Sequence, residues 1–466
     1  LKSGHPYHLA GLLEAFNELK DKFLFIFSEA HLDDLSKSLP DYRDKDLDFM
    51  GEYVKDNFFS FDHVSEKTFQ CLLATPKEAF NSKDYAAVRK FEKDPWNIDN
   101  LLPDNPEMPE INAINKLLKS YFDLPITALA TPLDTSSLDQ KNKEWIDKIL
   151  PGYHPEMSIR EFMESMSGFS SALLTDDKQL TELRRFIRDY VDRDKYSFEK
   201  WGMEFDEKFK ETGFGKTFLE MVDSSLGESQ KNNFYQRFTS AYSMLEVYNI
   251  TQERKSSGGL KKFDFSSLST DASHAYYASF CDYLVTDDKG LQAKAHIMYK
   301  LFDIPTKIVS IKEFINMRSQ LAGQEETIYR FREAINYDIN HALLIKDIYS
   351  FKTDSKITTY KTSHSYFNYF NRFQIIRDQH GTSIVFYCER LGYGNFVMYR
   401  EIELLINKLI SLFGNDIERK GSYSLAENSH TADYQIFRKW RFEDLTVELL
   451  DSNHPWGNFM CLCLNF

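Results

Sequence analysis

The sequence predicts an α/β protein. A parallel sheet flanked by helices is interrupted by a large helical insertion and followed by an antiparallel α+β domain. Three observations carry this reading. Phe23-Leu24-Phe25-Ile26-Phe27 is a continuous apolar run of strand length that feeds directly into a helix. Asp282 to Thr286 is a second short buried strand, with Tyr283, Leu284 and Val285 in its middle. Beyond about residue 355 the pattern changes to period-two alternation, which belongs to antiparallel strands with one buried face. Both apolar runs lead straight into acids, Ser28-Glu29 in one case and Thr286-Asp287-Asp288 in the other. Open sheets place their functional groups at the C-terminal ends of strands, so these acids are the first candidates for a site.

The chain has 466 residues, enough for two or three domains. Aromatic content of 15% predicts well-filled cores, and 19 glycines with 13 prolines exclude a disordered chain. The formal charge of −14 argues against a general nucleic-acid coat protein. It leaves room for an acidic metal site and for a local basic strip that holds phosphates. Five scattered cysteines without a CxxC pair predict reduced thiols in a cytoplasmic protein and argue against a zinc ribbon. No apolar run approaches the ~18 residues of a membrane span, and no signal peptide is visible.

Taken in order, Leu9 to Lys20 reads as an amphipathic helix with Leu9, Leu12, Leu13, Phe16 and Leu19 on one side. The strand of Phe23 to Phe27 follows. Ser28 then caps a helix with Glu29 in its first turn. Residues 76–251 form the insertion, opening through a loop rich in Asp, Asn and Pro at 99–108. Ser158 to Glu161 is a capping box, with Phe162, Met163 and Met166 on the Ile159 face. Leu180, Leu183, Ile187, Tyr190 and Val191 form one apolar stripe, and Phe234, Phe238, Ala241, Tyr242 and Leu245 another. Thr212 to Thr217 lacks the glycine spacing of a phosphate loop. Gln252 to Lys262 is a Ser/Gly hinge with four basic residues, readable as a solvated linker or as a strip that touches phosphates.

Residues 252–320 return to the α/β pattern of residues 1–75. Asp271 is expected at a helix start, with Ala275 and Ala278 giving a small, close-packing face. A helical connection with Ile328, Phe331, Ile335 and Ile339 on one face opens the last part, residues 321–466. There Phe373 and Ile375 alternate, Asp378 to Gly381 turns, and Ile384, Phe386 and Cys388 alternate again. Ile402, Leu405, Ile406, Leu409 and Leu412 make a helix that ends at Gly414. Leu445 to Leu449 and Asn458 to Phe466 are further strands. This part carries no catalytic set and reads as a recognition, regulatory or self-association module.

The stretch from Asp271 to Ile315 resembles the PIN-domain nucleases. The residues that carry the likeness are Asp271, Ala275, Ala278, Leu284-Val285, Thr286 and Asp288, followed by Lys294-Ala295, the strand Thr306 to Ser310 and Glu313-Phe314-Ile315. Leu32-Asp33-Asp34-Leu35 is similar to the family's second motif, with Asp34 where the family usually has Glu. The resemblance implies a PIN-like parallel sheet and a metal site of Asp34, Asp271 and Asp288 holding Mg²⁺ or Mn²⁺. Glu29, His31, His274, Thr286 and Asp287 would be auxiliary groups. It also implies a first acidic ligand, expected upstream of Leu1.

The activity implied is endonucleolytic hydrolysis of phosphodiester bonds in RNA, single-stranded or tRNA-like, with DNA as the second choice. A role as a toxin or defence effector is part of that analogy. The competing expectation is a catalytically degenerate PIN-like scaffold that binds protein partners. Glu29, Asp33 and Asp34 also read as ordinary solvated helix charges.

Overall fold

The computed structural model describes residues 6–62, 67–85, most of 109–175, 202–248, 265–322, 327–350, 354–379, 381–389, 399–424, 434–442, 445–454 and 457–465, with a few positions between. The basic hinge at 252–262 and most of the stripe from Leu180 to Val191 lie outside the described residues.

The first helix, α1 (Pro6–Leu19), turns its apolar side inward, where Leu12, Ala15, Phe16 and Leu19 pack in one cluster. Strand β1 is only Phe27–Ser28, much shorter than the apolar run before it. Phe23 and Phe25 belong instead to the cluster around α1, and the Phe25 carbonyl accepts from the Asn57 side chain at 3.2 Å. Ser28 stops the strand because it already caps α2 (Glu29–Ser36). After α3 (Pro40–Val54) comes β2 (Asn57–Asp62), which runs parallel to β1 with Phe27 opposite Phe58. Strand β3 (Lys67–Leu73) pairs antiparallel with β2. This hairpin is absent from the sequence reading, although the aromatic run Phe58-Phe59-Ser60-Phe61 carries strand propensity.

Helices follow: α4 (Pro76–Asn81), α5 (Pro109–Tyr121), α6 (Gln140–Ile149) and α7 (Ile159–Thr175). The capping box at the start of α7 forms as read, with Ser158 N donating to Glu161 Oε2 at 2.7 Å and Glu161 N donating to Ser158 Oγ at 3.1 Å. Next come α8 (Phe218–Ser224) and α9 (Phe234–Val247). All five residues of the α9 stripe are buried. They pack with α10 (Phe265–Ala278), with α11 (Lys289–Leu301) and with Phe59 and Phe61 of β2. The last part of the insertion therefore shares one aromatic core with the α/β half.

Strands β4 (Tyr283–Val285) and β5 (Lys307–Val309) flank α11 and pair in parallel, Leu284 opposite Ile308. Helix α12 (Ile311–Ala322) then packs on α1 through Phe314 and Leu321. Among the described residues, parallel pairing occurs in two separate places, β1 with β2 and β4 with β5, rather than in the single parallel sheet expected from the sequence. Both β1 and β4 are too short to present a long ladder, and Tyr283, Leu284 and Val285 remain only half-buried.

From α13 (Ile328–His341) onward the chain builds one large antiparallel sheet. Its strands are β6 (Leu343–Ser350), β7 (Ser355–Tyr366), β8 (Phe370–Asp378), β9 (Gly381–Tyr387), β10 (Tyr434–Phe442), β11 (Leu445–His454) and β12 (Gly457–Asn465). They lie in the order β10-β11-β12-β9-β8-β7-β6. The β8–β9 hairpin turns where the sequence predicts, Asp378 opposite Gly381. Helix α14 (Tyr399–Phe413) lays its Ile402, Leu405, Ile406 and Leu409 stripe on the sheet. It ends at Gly414, whose φ of +81° is a conformation that glycine adopts without strain. Arg400 at its start reaches Asp56 with two bonds of 2.8 and 3.0 Å, joining this half to the turn before β2. That fork holds Asp56 below the ordinary carboxylate range.

Candidate functional site

The site assembles where α2 meets α10. Helix α10 is seated in the aromatic core and α2 in a smaller cluster through Leu32, and each presents polar side chains at their crossing. His31 closes the cap of α2, its Nδ1 accepting from the Ser28 backbone N–H at 3.1 Å and standing 3.0 Å from Ser28 Oγ. It takes the place usually held by Glu or Gln in a capping box. A ring nitrogen that accepts a backbone N–H has no proton of its own, so the proton of neutral His31 is assigned to Nε2. Burial, reinforced by the neighbouring His274, lowers the His31 pKa to about 3, against the pull of Asp34. His31 is thus a neutral ring at any physiological pH. It meets the His274 ring edge to face, with centroids 4.6 Å apart.

His274 in turn holds Asp34, with Nε2 to Oδ2 at 3.0 Å. The other Asp34 oxygen faces Lys37 Nζ at 3.4 Å, and Lys37 also reaches Thr270 Oγ1 at 3.4 Å. Burial pushes the Asp34 pKa up, but the His274 and Lys37 contacts outweigh it, and the net shift is downward. Asp34 is therefore ionised at neutral pH. Asp271 lies three residues before His274 on α10, so the two share a helix face. It is not at the helix start expected from the sequence: α10 begins at Phe265, and Asp271 sits well inside it.

Glu29 lies beneath this crossing. Its Oε1 accepts from Ser60 Oγ at 3.2 Å and pairs with Lys83 at 3.0 Å, while Oε2 accepts from Tyr277 at 3.3 Å. Burial, then the Glu29 charge, pushes the Tyr277 hydroxyl well above its ordinary range, so it stays a donor. Glu29 thereby ties β2, the chain past α4 and α10 together. Its ligands leave it a positioning role for the crossing above.

The residues after β4 do something different. Asp288 caps α11, its Oδ1 accepting from Leu291 N at 3.0 Å. Thr286 Oγ1 accepts from the Asp288 N–H at 3.1 Å, closing a tight turn. Asp287 does not face outward alone: its Oδ1 accepts from Ile311 N at 3.0 Å and so clamps the loop to the start of α12.

The structure thus brings Asp34, His31 and His274 to one helix crossing, with Asp271 one turn before His274 on α10. Asp287 and Asp288 are engaged in turn and cap bonds at the end of β4. Among the described residues, no three His, Cys, Asp or Glu side chains stand close enough to hold a metal ion. In this arrangement Asp34 is satisfied by His274 and Lys37 rather than gathered with the other carboxylates. Lys37, Thr270, Ser60, Lys83 and Tyr277 were missed in the sequence. Lys37 carried a signal, lying three residues past Asp34 on the same helix face. The partners of Glu29 carried none, since they come from 31, 54 and 248 residues away.

A comparison with known proteins brings no match among family models, curated proteins or solved structures.

Proposed function

We propose that this chain is a metal-dependent nuclease of the PIN type that hydrolyses phosphodiester bonds in RNA. One observation carries the reading. Asp34 and the Asp271–His274 face are 240 residues apart between Asp34 and His274, yet the fold joins them side chain to side chain. Motifs that are far apart in sequence and alike in chemistry meet at one polar crossing, with an ionised carboxylate in it. Two parallel strand pairs carry their acids at or just beyond their C-terminal ends, the place where α/β folds keep functional groups.

In this reading Asp34, Asp271 and Asp288 would supply carboxylates to Mg²⁺ or Mn²⁺. Such an ion, when bound, makes water nucleophilic at neutral pH and offsets phosphate charge. Asp34 is held by His274 and Lys37, so serving such an ion would require it to give up the His274 bond, and His274 would then be available to contact substrate. His31 stays neutral and orients His274 by ring contact. Glu29 holds the two helices at their crossing.

A second reading rests on a specific feature. Asp34 is already paired and Asp288 is already a helix cap, which is what a degenerate PIN-like scaffold would show. Cleavage separates the two. Labelled single-stranded RNA, tRNA and DNA are incubated with Mn²⁺, Mg²⁺ or EDTA, using the wild type and Asp271→Asn/Asp288→Asn. Metal-dependent cutting lost in the double variant supports the nuclease. Equal, background-level products from both proteins refute it in favour of the scaffold.

A further inference from the structure

A second polar surface lies at the opposite end of the parallel strands. It is a groove of about 1460 Å³ between the α/β half and the antiparallel sheet. Tyr283 and Lys307, the first residues of β4 and β5, line one wall, together with Phe23 before β1. The carboxylates considered above follow the other ends of those strands. The groove is therefore not the acid crossing seen from another side.

Its chemistry is unlike that of the chain as a whole. Lys22, Lys307, Arg330, Lys361, Arg372 and Lys408 line it, against only Asp21, Asp282 and Glu389. The chain at large carries a formal charge of −14, so this is a local reversal of sign. Arg372 is paired with Glu389 at 2.7 Å, and Lys408 donates to the Phe367 carbonyl at 2.9 Å. Lys307 lies over the Tyr283 ring at 5.7 Å, and Lys307, Arg330 and Lys361 are exposed. Ser363, Asn368 and Asn407 also line the groove. Lysine, arginine, hydroxyl and amide donors are the groups that contact nucleic-acid phosphates. The volume exceeds the ~300–1000 Å³ of ordinary small-molecule pockets, which favours an extended ligand.

From this we infer that the groove binds the phosphate backbone of single-stranded RNA, holding the body of the substrate away from the acid crossing. The choice of RNA over another polyanion rests on the nuclease reading; the phosphate chemistry does not. Each cation that neutralises a phosphate contributes a salt slope of about 0.7 on a single strand, or roughly fivefold in affinity at 0.1 M salt.

The test is fluorescence anisotropy of a labelled 12-nucleotide oligouridylate with the full chain, in EDTA, from 50 to 200 mM KCl. Lys307→Gln/Arg330→Gln/Lys361→Gln is expected to bind on the order of 100-fold more weakly at 0.1 M, with the salt slope reduced by about 2. Lys361→Gln alone, an exposed change on β7 that spares the fold, is expected to lose about fivefold. Lys116→Gln, exposed on α5, is the control and should match the wild type. A triple variant that binds as tightly as wild type with the same slope overturns the inference. So does a wild type that binds ATP in the groove but not the oligonucleotide. Binding lost in the triple variant of a protein that never cuts RNA would sustain the groove and refute the nuclease. Cutting that persists with groove-independent binding would do the reverse.

Discussion

Replacing His31 with Gln tests the electrostatics of the helix crossing most directly. The ring has a pKa of about 3 in the fold against an ordinary 6.5. Its folded value is depressed, so the unfolded chain binds a proton that the folded chain refuses between those two values. The stabilisation is therefore complete above pH 6.5 and is lost as pH falls through the window down to about 3. Below 6.5 each pH unit costs up to about 1.4 kcal/mol, which gives about 2 kcal/mol between pH 7 and pH 5. The part of His31 that still meets water reduces this, so the expected loss is about 1–2 kcal/mol. Gln does not titrate, and it suits the third helical position because its amide oxygen can take the Ser28 N–H. Urea unfolding of both proteins at pH 7 and pH 5 isolates the term, since other titrating groups are common to the two. With a slope of about 2–3 kcal/mol per molar, the wild-type midpoint should fall by roughly half a molar more than that of His31→Gln. Parallel losses in the two proteins would refute the assignment of a buried neutral ring.

Four further outcomes follow from the same contacts. Asp288→Ala removes the α11 cap and should cost about 1 kcal/mol in thermal or urea unfolding, whereas Asp288→Asn should cost little; the nuclease reading requires both to abolish RNA cutting. His274→Gln should leave Asp34 paired with Lys37 only, raising the Asp34 pKa, which carbon-detected NMR titration of the carboxylate reads directly. Tyr277→Phe removes a half-buried bond to Glu29 and should lower stability by about 1 kcal/mol, measured by denaturant midpoint. Asp56→Ala should cost about 1–3 kcal/mol by leaving Arg400 with only Glu403, and the loss should show as earlier proteolysis at the join between the two halves.

Much of this was legible because it is local. The α9 stripe, the Ser158 capping box, the β8–β9 turn and the Gly414 stop are each set within a few residues, and all appear where the pattern places them. The strand of Phe23 to Phe27 shows where locality fails. Its composition is that of a buried strand, but Phe23 and Phe25 find a better partner in α1 and α12, and only Phe27 enters a ladder. Strands β6, β7 and β10 mix charged and apolar residues, so their alternation is blurred until a neighbouring strand fixes it. At the site, the sequence singles out Asp34, Asp271 and Asp288 together but carries no information on their bonds. Which carboxylate caps a helix and which meets a histidine depends on how α2 crosses α10, and the two are seated in different clusters, α2 through Leu32 beside Phe27 and Phe58, α10 beside α9 and α11.

The packing of α1 on α12 has a consequence for synthesis. Leu12, Ala15, Phe16 and Leu19 leave the ribosome about 300 residues before their partners Phe314 and Leu321. At about 5–20 residues per second, that interval is roughly 15–60 s. For that time the apolar side of α1 lacks the cover that Phe314 and Leu321 of α12 provide. A nascent chain of this protein should therefore be a client of ribosome-associated chaperones, and its yield should fall when translation is slowed between residues 76 and 310.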